Sequence, residues 1–156
     1  MGNGSDTVST INGIVYASAI KDLRDGYIVG CIASKEATTR IVTKTIDVAS
    51  SFLVPNNKSL TILHSDQGTQ YTSCEYKEYL KDLPITPSMS RPGKPIDNSP
   101  MESFFSSMKT EWLTETNKLN ADEVMQQINN YVDFYNNTRY QLKTKMTPSE
   151  IRFGTG

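Results

Sequence analysis

The sequence predicts an α/β fold in which a mixed five-stranded sheet is flanked by helices. Three observations carry this expectation. β-Rich runs separated by turn residues open the chain, a stretch of helical periodicity interrupts them before another apolar run, and the later periodic segments are mostly helical. Strands, a crossover helix, another strand and then helices describe one sheet with helices packed against it.

Met1 to Ser5 is a small polar lead that reads as a cloning remnant, leaving 6–156 as the domain. Asp6 to Ile11 extends into a short strand, and Asn12-Gly13 is a hairpin signal. Ile14 to Ile20 and Tyr27 to Ala33 are two further strands, divided by a turn from Lys21 to Gly26. Ile41, Val42, Ile46, Val48, Ala49, Phe52 and Leu53 then recur with helical spacing, closed by Pro55-Asn56-Asn57. That helix carries the chain across to Leu60–Leu63, a strand expected parallel to the first.

A helix from about Ser73 to Asp82 buries Tyr76, Tyr79, Leu80 and Leu83, and a short strand follows at Ile85 to Met89. Met101, Phe104, Phe105, Met108 and Trp112 form the buried stripe of a helix that starts at Ser99-Pro100, so its aromatics belong to the core. Val124, Ile128, Tyr131, Val132 and Tyr135 place another helix from Ala121 to Asn136, with Asn120 as its N-cap. Thr147-Pro148-Ser149-Glu150 opens a last helical turn. At 156 residues the chain makes one domain.

No run of eighteen apolar residues and no signal-peptide pattern occurs, which predicts a soluble intracellular protein without a membrane partner. Cys31 and Cys74 lie far apart in sequence and make no metal-like pair, so both are expected as free thiols. A net charge of −1 and a pI near 5.8 argue against a self-sufficient nucleic-acid binder, because duplex affinity comes mostly from neutralising phosphates. The charge is uneven, however. Arg91 and Lys94 lie in the loop from Ser90 to Asn98, and Arg139, Lys143, Lys145 and Arg152 face only Glu150 in the tail.

Two acids stand out. Asp66 follows the apolar run Leu60–Leu63, as when a buried strand delivers an acid to a sheet edge, yet Asp66-Gln67-Gly68 is also an ordinary turn. Glu102 falls in a first helical turn, on the same flank as Lys109 and about 10 Å from it along the axis. Ser99 and Glu102 also spell a capping box, the form repeated at Thr147 and Glu150, where nothing suggests catalysis. Spelling alone leaves both readings open.

The segments HSDQG…YTS, SMSRPGKPIDN and DNSPMESFFSSMKTE, followed by YNNTR, resemble the catalytic core of bacterial insertion-sequence transposases, a family related to retroviral integrase. The likeness runs from about Ile14 to Arg152. That family has a ribonuclease H-like fold and an Asp, Asp, Glu triad whose last two acids are separated by thirty-five residues; here 102 − 66 = 36 leaves thirty-five between. The resemblance implies Asp66 and Glu102 as catalytic and metal-binding acids and Asp6 as the first acid, although the aromatic and threonine flanks usual there differ. Asp22, after the second strand, is the competing candidate.

By the same resemblance, the acids hold Mg²⁺ or Mn²⁺, two ions with DNA bound. Such ions suit in-line phosphodiester displacement and take oxygen ligands. Lys109, Arg91, Lys94 and Arg139 become candidate DNA contacts. Asn98 either orients a carboxylate or caps the helix, and His64 plays a hydrogen-bonding part beside the strand end. The loop Ser90–Asn98 is expected to be mobile and to close over substrate. The implied activity is metal-dependent cleavage and joining of transposon ends to target DNA, in the bacterial cytoplasm at the nucleoid, by a homodimer or higher oligomer. A separate N-terminal DNA-binding region would precede this core and is absent from the chain. The alternatives are a ribonuclease H-like nuclease without strand transfer and a non-catalytic DNA-binding or dimerisation remnant.

Overall fold

The computed structural model describes residues 1–52, 61–91 and 98–155. Three strands open the chain as an antiparallel meander, β1 (Gly2–Thr10), β2 (Gly13–Lys21) and β3 (Ile28–Ser34). Helix α1 (Thr39–Ser50) carries the chain to β4 (Thr61–Ser65), which runs parallel to β1. The short helices α2 (Thr69–Thr72) and α3 (Cys74–Leu80) lead to β5 (Ile85–Met89), parallel to β4. Helices α4 (Ser99–Glu111), α5 (Ala121–Asn137) and α6 (Pro148–Phe153) complete a five-stranded mixed sheet of order β3-β2-β1-β4-β5.

Alternation along the strands divides the apolar side chains between two cores. Val8, Val15, Ala17 and Ala19 face α4 and α5, meeting Met101, Phe104, Phe105 and Met108 of the first and Val124, Ile128 and Tyr131 of the second. On the opposite face Ile20, Val29 and Leu63 pack with Ile41, Val42 and Ile46 of α1 and with Tyr76 and Leu80 of α3. The α4–α5 seam is aromatic, with Phe104 edge-on to Tyr135 at 5.0 Å between centroids and Trp112 tilted on Phe134 at 5.0 Å.

Two boundaries depart from the sequence expectation. The first strand begins at Gly2 rather than Asp6: Gly2–Thr10 pairs along its length with β2, and Met1 is stitched to β4 by bonds from its ammonium to Ile62 O and from His64 N to its own carbonyl. Residues 2–5 hide their strand character because their α4-side positions are Gly2 and Gly4. A Cβ at Gly4 would stand 3.0 Å from Met101 Cβ, so glycine is what lets α4 lie close on β1. The predicted helix from Ser73 starts at Cys74, with Ser73 as its cap, and a separate turn of helix, α2, precedes it. Leu53, Pro55–Asn57 and Leu60 lie outside the described residues.

The tail also differs. Arg152 does not face Glu150 alone; its Nη1 reaches Asp22 at 3.2 Å and the buried Asp25 at 2.8 Å, clamping α6 to the β2–β3 turn. Asn136 in YNNTR acts like a strand partner for Ile28, accepting from its N–H at 2.8 Å and donating to its carbonyl at 3.0 Å. Asn120 forms the expected capping box with Glu123. Cys31 and Cys74 are free thiols. No described helix is long and apolar enough to cross a membrane.

Candidate active site

Asp6 reaches its position through strand parity. Gly2, Gly4, Asp6 and Val8 share the face of β1 that meets α4, and the two glycines draw the N-terminal part of α4 close. Asp66 is the first residue past β4, and the parallel register Gly2↔His64 sets it about two residues, roughly 7 Å, short of Asp6 along the strand direction. Its Oδ1 accepts from Gly68 N at 2.8 Å. A Cβ at Gly68 would come within 2.9 Å of that same oxygen, which accounts for glycine two residues after the acid. The turn reading of Asp66 and its presentation at a sheet edge are therefore both realised.

Glu102 sits in the first turn of α4 but does not form a capping box. The N-cap is Asn98, which makes no side-chain capping bond, whereas Thr147 and Glu150 do form the reciprocal pair. Identical spelling thus gives two outcomes. Glu150 is tied to Thr147 N at 2.8 Å, while among the described residues Glu102 has no hydrogen bond or ion pair of its own.

Asp6, Asp66 and Glu102 line one cleft of about 530 Å³, with Asn98, Ser106, Lys109 and Thr110 around them. Ser106 and Thr110 were missed by sequence reasoning, although they lie four and eight residues past Glu102, a spacing that keeps them on one helix face. Asp22 is elsewhere, in the Arg152 clamp. Lys109 does not pair within its own helix but crosses to β1, where its Nζ lies 2.7 Å from Asp6 Oδ2. The other oxygen of Asp6 accepts from Thr7 N at 2.8 Å.

The remaining candidates separate cleanly. Arg139, expected as a DNA contact, instead grips Glu111 at the end of α4 through Nε and Nη2, the shortest contact being 2.7 Å. That grip, with a further bond from Tyr131, holds the Glu111 carboxyl below the usual range. Arg91 is exposed just past β5, and Lys94 lies outside the described residues with most of the loop Ser90–Asn98. His64 hydrogen-bonds Ser88 Oγ at 3.1 Å through Nδ1 and Ser90 Oγ at 3.0 Å through Nε2, tying β4 to the end of β5. In the core on the α1 side of the sheet Tyr71 is fully buried, and loss of hydration pushes its hydroxyl well up, so it stays protonated and donates to Asn3 Oδ1 at 3.4 Å.

The donor set fits a hard divalent ion. The three acids offer carboxylate oxygens, no thiol or imidazole lines the described cleft, and a cation, the Lys109 ammonium, already rests on Asp6. Among the described residues no three acidic, His or Cys side chains stand close enough to enclose one ion. The acids share a cleft rather than a finished cage.

Known proteins give the same direction. Two integrase core domain models match, over residues 5–95 and 83–141. The transposase for insertion sequence element IS629 of Shigella sonnei is 34% identical over 141 residues, 90% of this chain and 47% of that protein. An uncharacterized transposase-like protein of Haemophilus influenzae is 35% identical over 141 residues, 90% of this chain and 64% of its own. The chain spans about half the length of most such relatives. In fold it resembles the HTLV-2 integrase catalytic core domain solved in complex with magnesium in a dimeric form, with a TM-score of 0.69 at 15% identity, covering 99% of this chain and 94% of that one. The mixed sheet between helices is ribonuclease H-like, and the chain belongs to the integrase core domain family.

Proposed function

We propose that this chain cleaves and joins DNA phosphodiesters at the ends of a mobile element, with Asp6, Asp66 and Glu102 as its catalytic acids. The observation that carries the reading is convergence: three carboxylates, from β1, the end of β4 and the first turn of α4, line one cleft with a lysine between helix and strand. Asp66 and Glu102 are 36 positions apart in sequence, so local structure alone does not bring them together.

A divalent ion of the magnesium class, held by these acids, would neutralise charge on the attacking and leaving oxygens of an in-line displacement. The protein's part is to hold and orient. Gly68 N fixes one oxygen of Asp66 and so aims the other, and Thr7 N does the same for Asp6. Lys109 and the Asn98 amide at the cleft supply donors for a phosphate, and Arg91 supplies positive charge near the β5 exit. Lys94 belongs to the same proposal by its sequence position. Arg139 serves instead to position the C-terminal end of α4 through Glu111.

The full-length transposase, incubated with its terminal-repeat DNA and Mg²⁺, yields strand-joined products under this reading. Cut products without joining would make it a nuclease, and neither product would reduce it to a binding remnant. A homodimer or higher oligomer follows from the need to handle two DNA ends together, and light scattering of the DNA complex tests it.

A further inference from the structure

We infer that Lys109 is the resident counter-ion of Asp6 in the free protein and leaves it when a divalent cation is loaded, so that filling the acidic cleft and freeing a cation for a DNA phosphate are one event. This rests on the metal-dependent reading and deepens it.

Both oxygens of Asp6 are engaged. Oδ1 accepts from Thr7 N at 2.8 Å and Oδ2 holds Lys109 Nζ at 2.7 Å. The first contact is backbone within the strand and cannot retreat without disturbing β1. The second is a long side chain from α4, 40% exposed, which swings away at little cost. A partly exposed pair of this kind favours the closed arrangement by at most about fivefold. With Lys109 in place the described cleft carries three carboxylates and one ammonium, a formal charge of −3 + 1 = −2, still unbalanced and suited to a doubly charged ion. Lys109 also lies in the last turn of α4, where the helix dipole favours a cation whether or not Asp6 holds it, so release does not strand the charge. Because the two contacts exclude each other, coupling is reciprocal: ion loading raises the affinity of Lys109 for phosphate, and phosphate capture raises the affinity for the ion.

The test follows the lysine rather than the reaction. The 156-residue chain is labelled with an acetylating N-hydroxysuccinimide ester at fixed pH, with and without saturating Mg²⁺, and the rate at each lysine is read by peptide mass spectrometry. Manganese binding is followed in parallel by electron paramagnetic resonance on the wild type and Asp66→Asn. The expected result is a rise of about threefold or more at Lys109 with Mg²⁺, while the exposed Lys77 is unchanged. In Asp6→Asn, Lys109 reacts fast from the start and ignores the ion. If Mn²⁺ binds the wild type and is lost in Asp66→Asn but Lys109 labelling does not respond, displacement is refuted while the metal reading stands. If Mn²⁺ binding is absent or indifferent to Asp66→Asn, both fall.

Discussion

Asp6 and Asp66 are each held through one oxygen by a nearby backbone amide, an anchor that Asp6 keeps even without its Lys109 partner. Removing the charge of either should therefore spare the fold and remove the chemistry. Asp66→Asn is expected to lower strand joining at least about a hundredfold, since metal-assisted charge stabilisation contributes several kcal/mol. Its melting temperature should move by no more than about 2 °C, as for other substitutions at partly exposed sites. Gel assay of joined products beside calorimetry checks both halves. Asp22→Asn offers the contrast: with Asp22 in the Arg152 clamp, activity should stay within about threefold of wild type, and a collapse would make Asp22 the first acid. The preference for Asp6 over Asp22 rested on the resemblance alone, against flanks that depart from the family pattern. The strand parity of Asp6 became visible only once the strand was seen to begin at Gly2.

Whole elements were more legible than contacts between them. Apolar periodicity of 2 and 3.6 located all five strands and α1, α4 and α5, because those segments bury side chains on one face or two. It failed at residues 2–5, where burial is achieved by glycines and by Asn3 rather than by apolar groups, and at α2, a single turn. It also failed at Lys109, since a bridge from helix to strand leaves no trace in local spacing. The seam between α4 and β1 gives a prediction. Gly4→Val forces a side chain against Met101, and overpacking of this kind costs about 1–3 kcal/mol, measured by urea denaturation. The same variant should weaken Mn²⁺ binding by moving Glu102 away from Asp6.

At the other end of α4, the Arg139 grip keeps the folded Glu111 carboxyl below its usual range. A depressed carboxyl stabilises above the unfolded glutamate value, about 4.3, and that stability is lost as pH falls through the folded value. The gap in melting temperature between wild type and Glu111→Gln should thus be full at pH 6 and close below about pH 4. A gap that persists at pH 3 would show that packing, not the carboxylate, is responsible.

For the whole molecule, one sheet brings together residues remote in sequence, and a net charge of −1 with one lysine among the described residues of the cleft predicts weak DNA binding. The isolated chain is expected to hold terminal-repeat DNA no better than nonspecifically, about 10⁻⁴ to 10⁻⁶ M at physiological salt, with affinity falling as salt rises. Fluorescence anisotropy against a scrambled duplex tests this, and tight specific binding would locate end recognition within the core itself. Fold class and family were readable from the sequence because strand order, crossover and acid spacing are all properties of the linear chain. That the three acids should share a cleft followed from the family resemblance, whereas the bridge from Lys109 to Asp6 across it did not.

The most direct measurement is anomalous diffraction from crystals of the chain soaked in Mn²⁺. Peaks between the carboxylates of Asp6, Asp66 and Glu102, lost in Asp66→Asn, are the predicted result. A saturated crystal with manganese only at other acids, and the cleft closed by the Lys109 pair, would contradict the assignment of these three residues to one ionic centre.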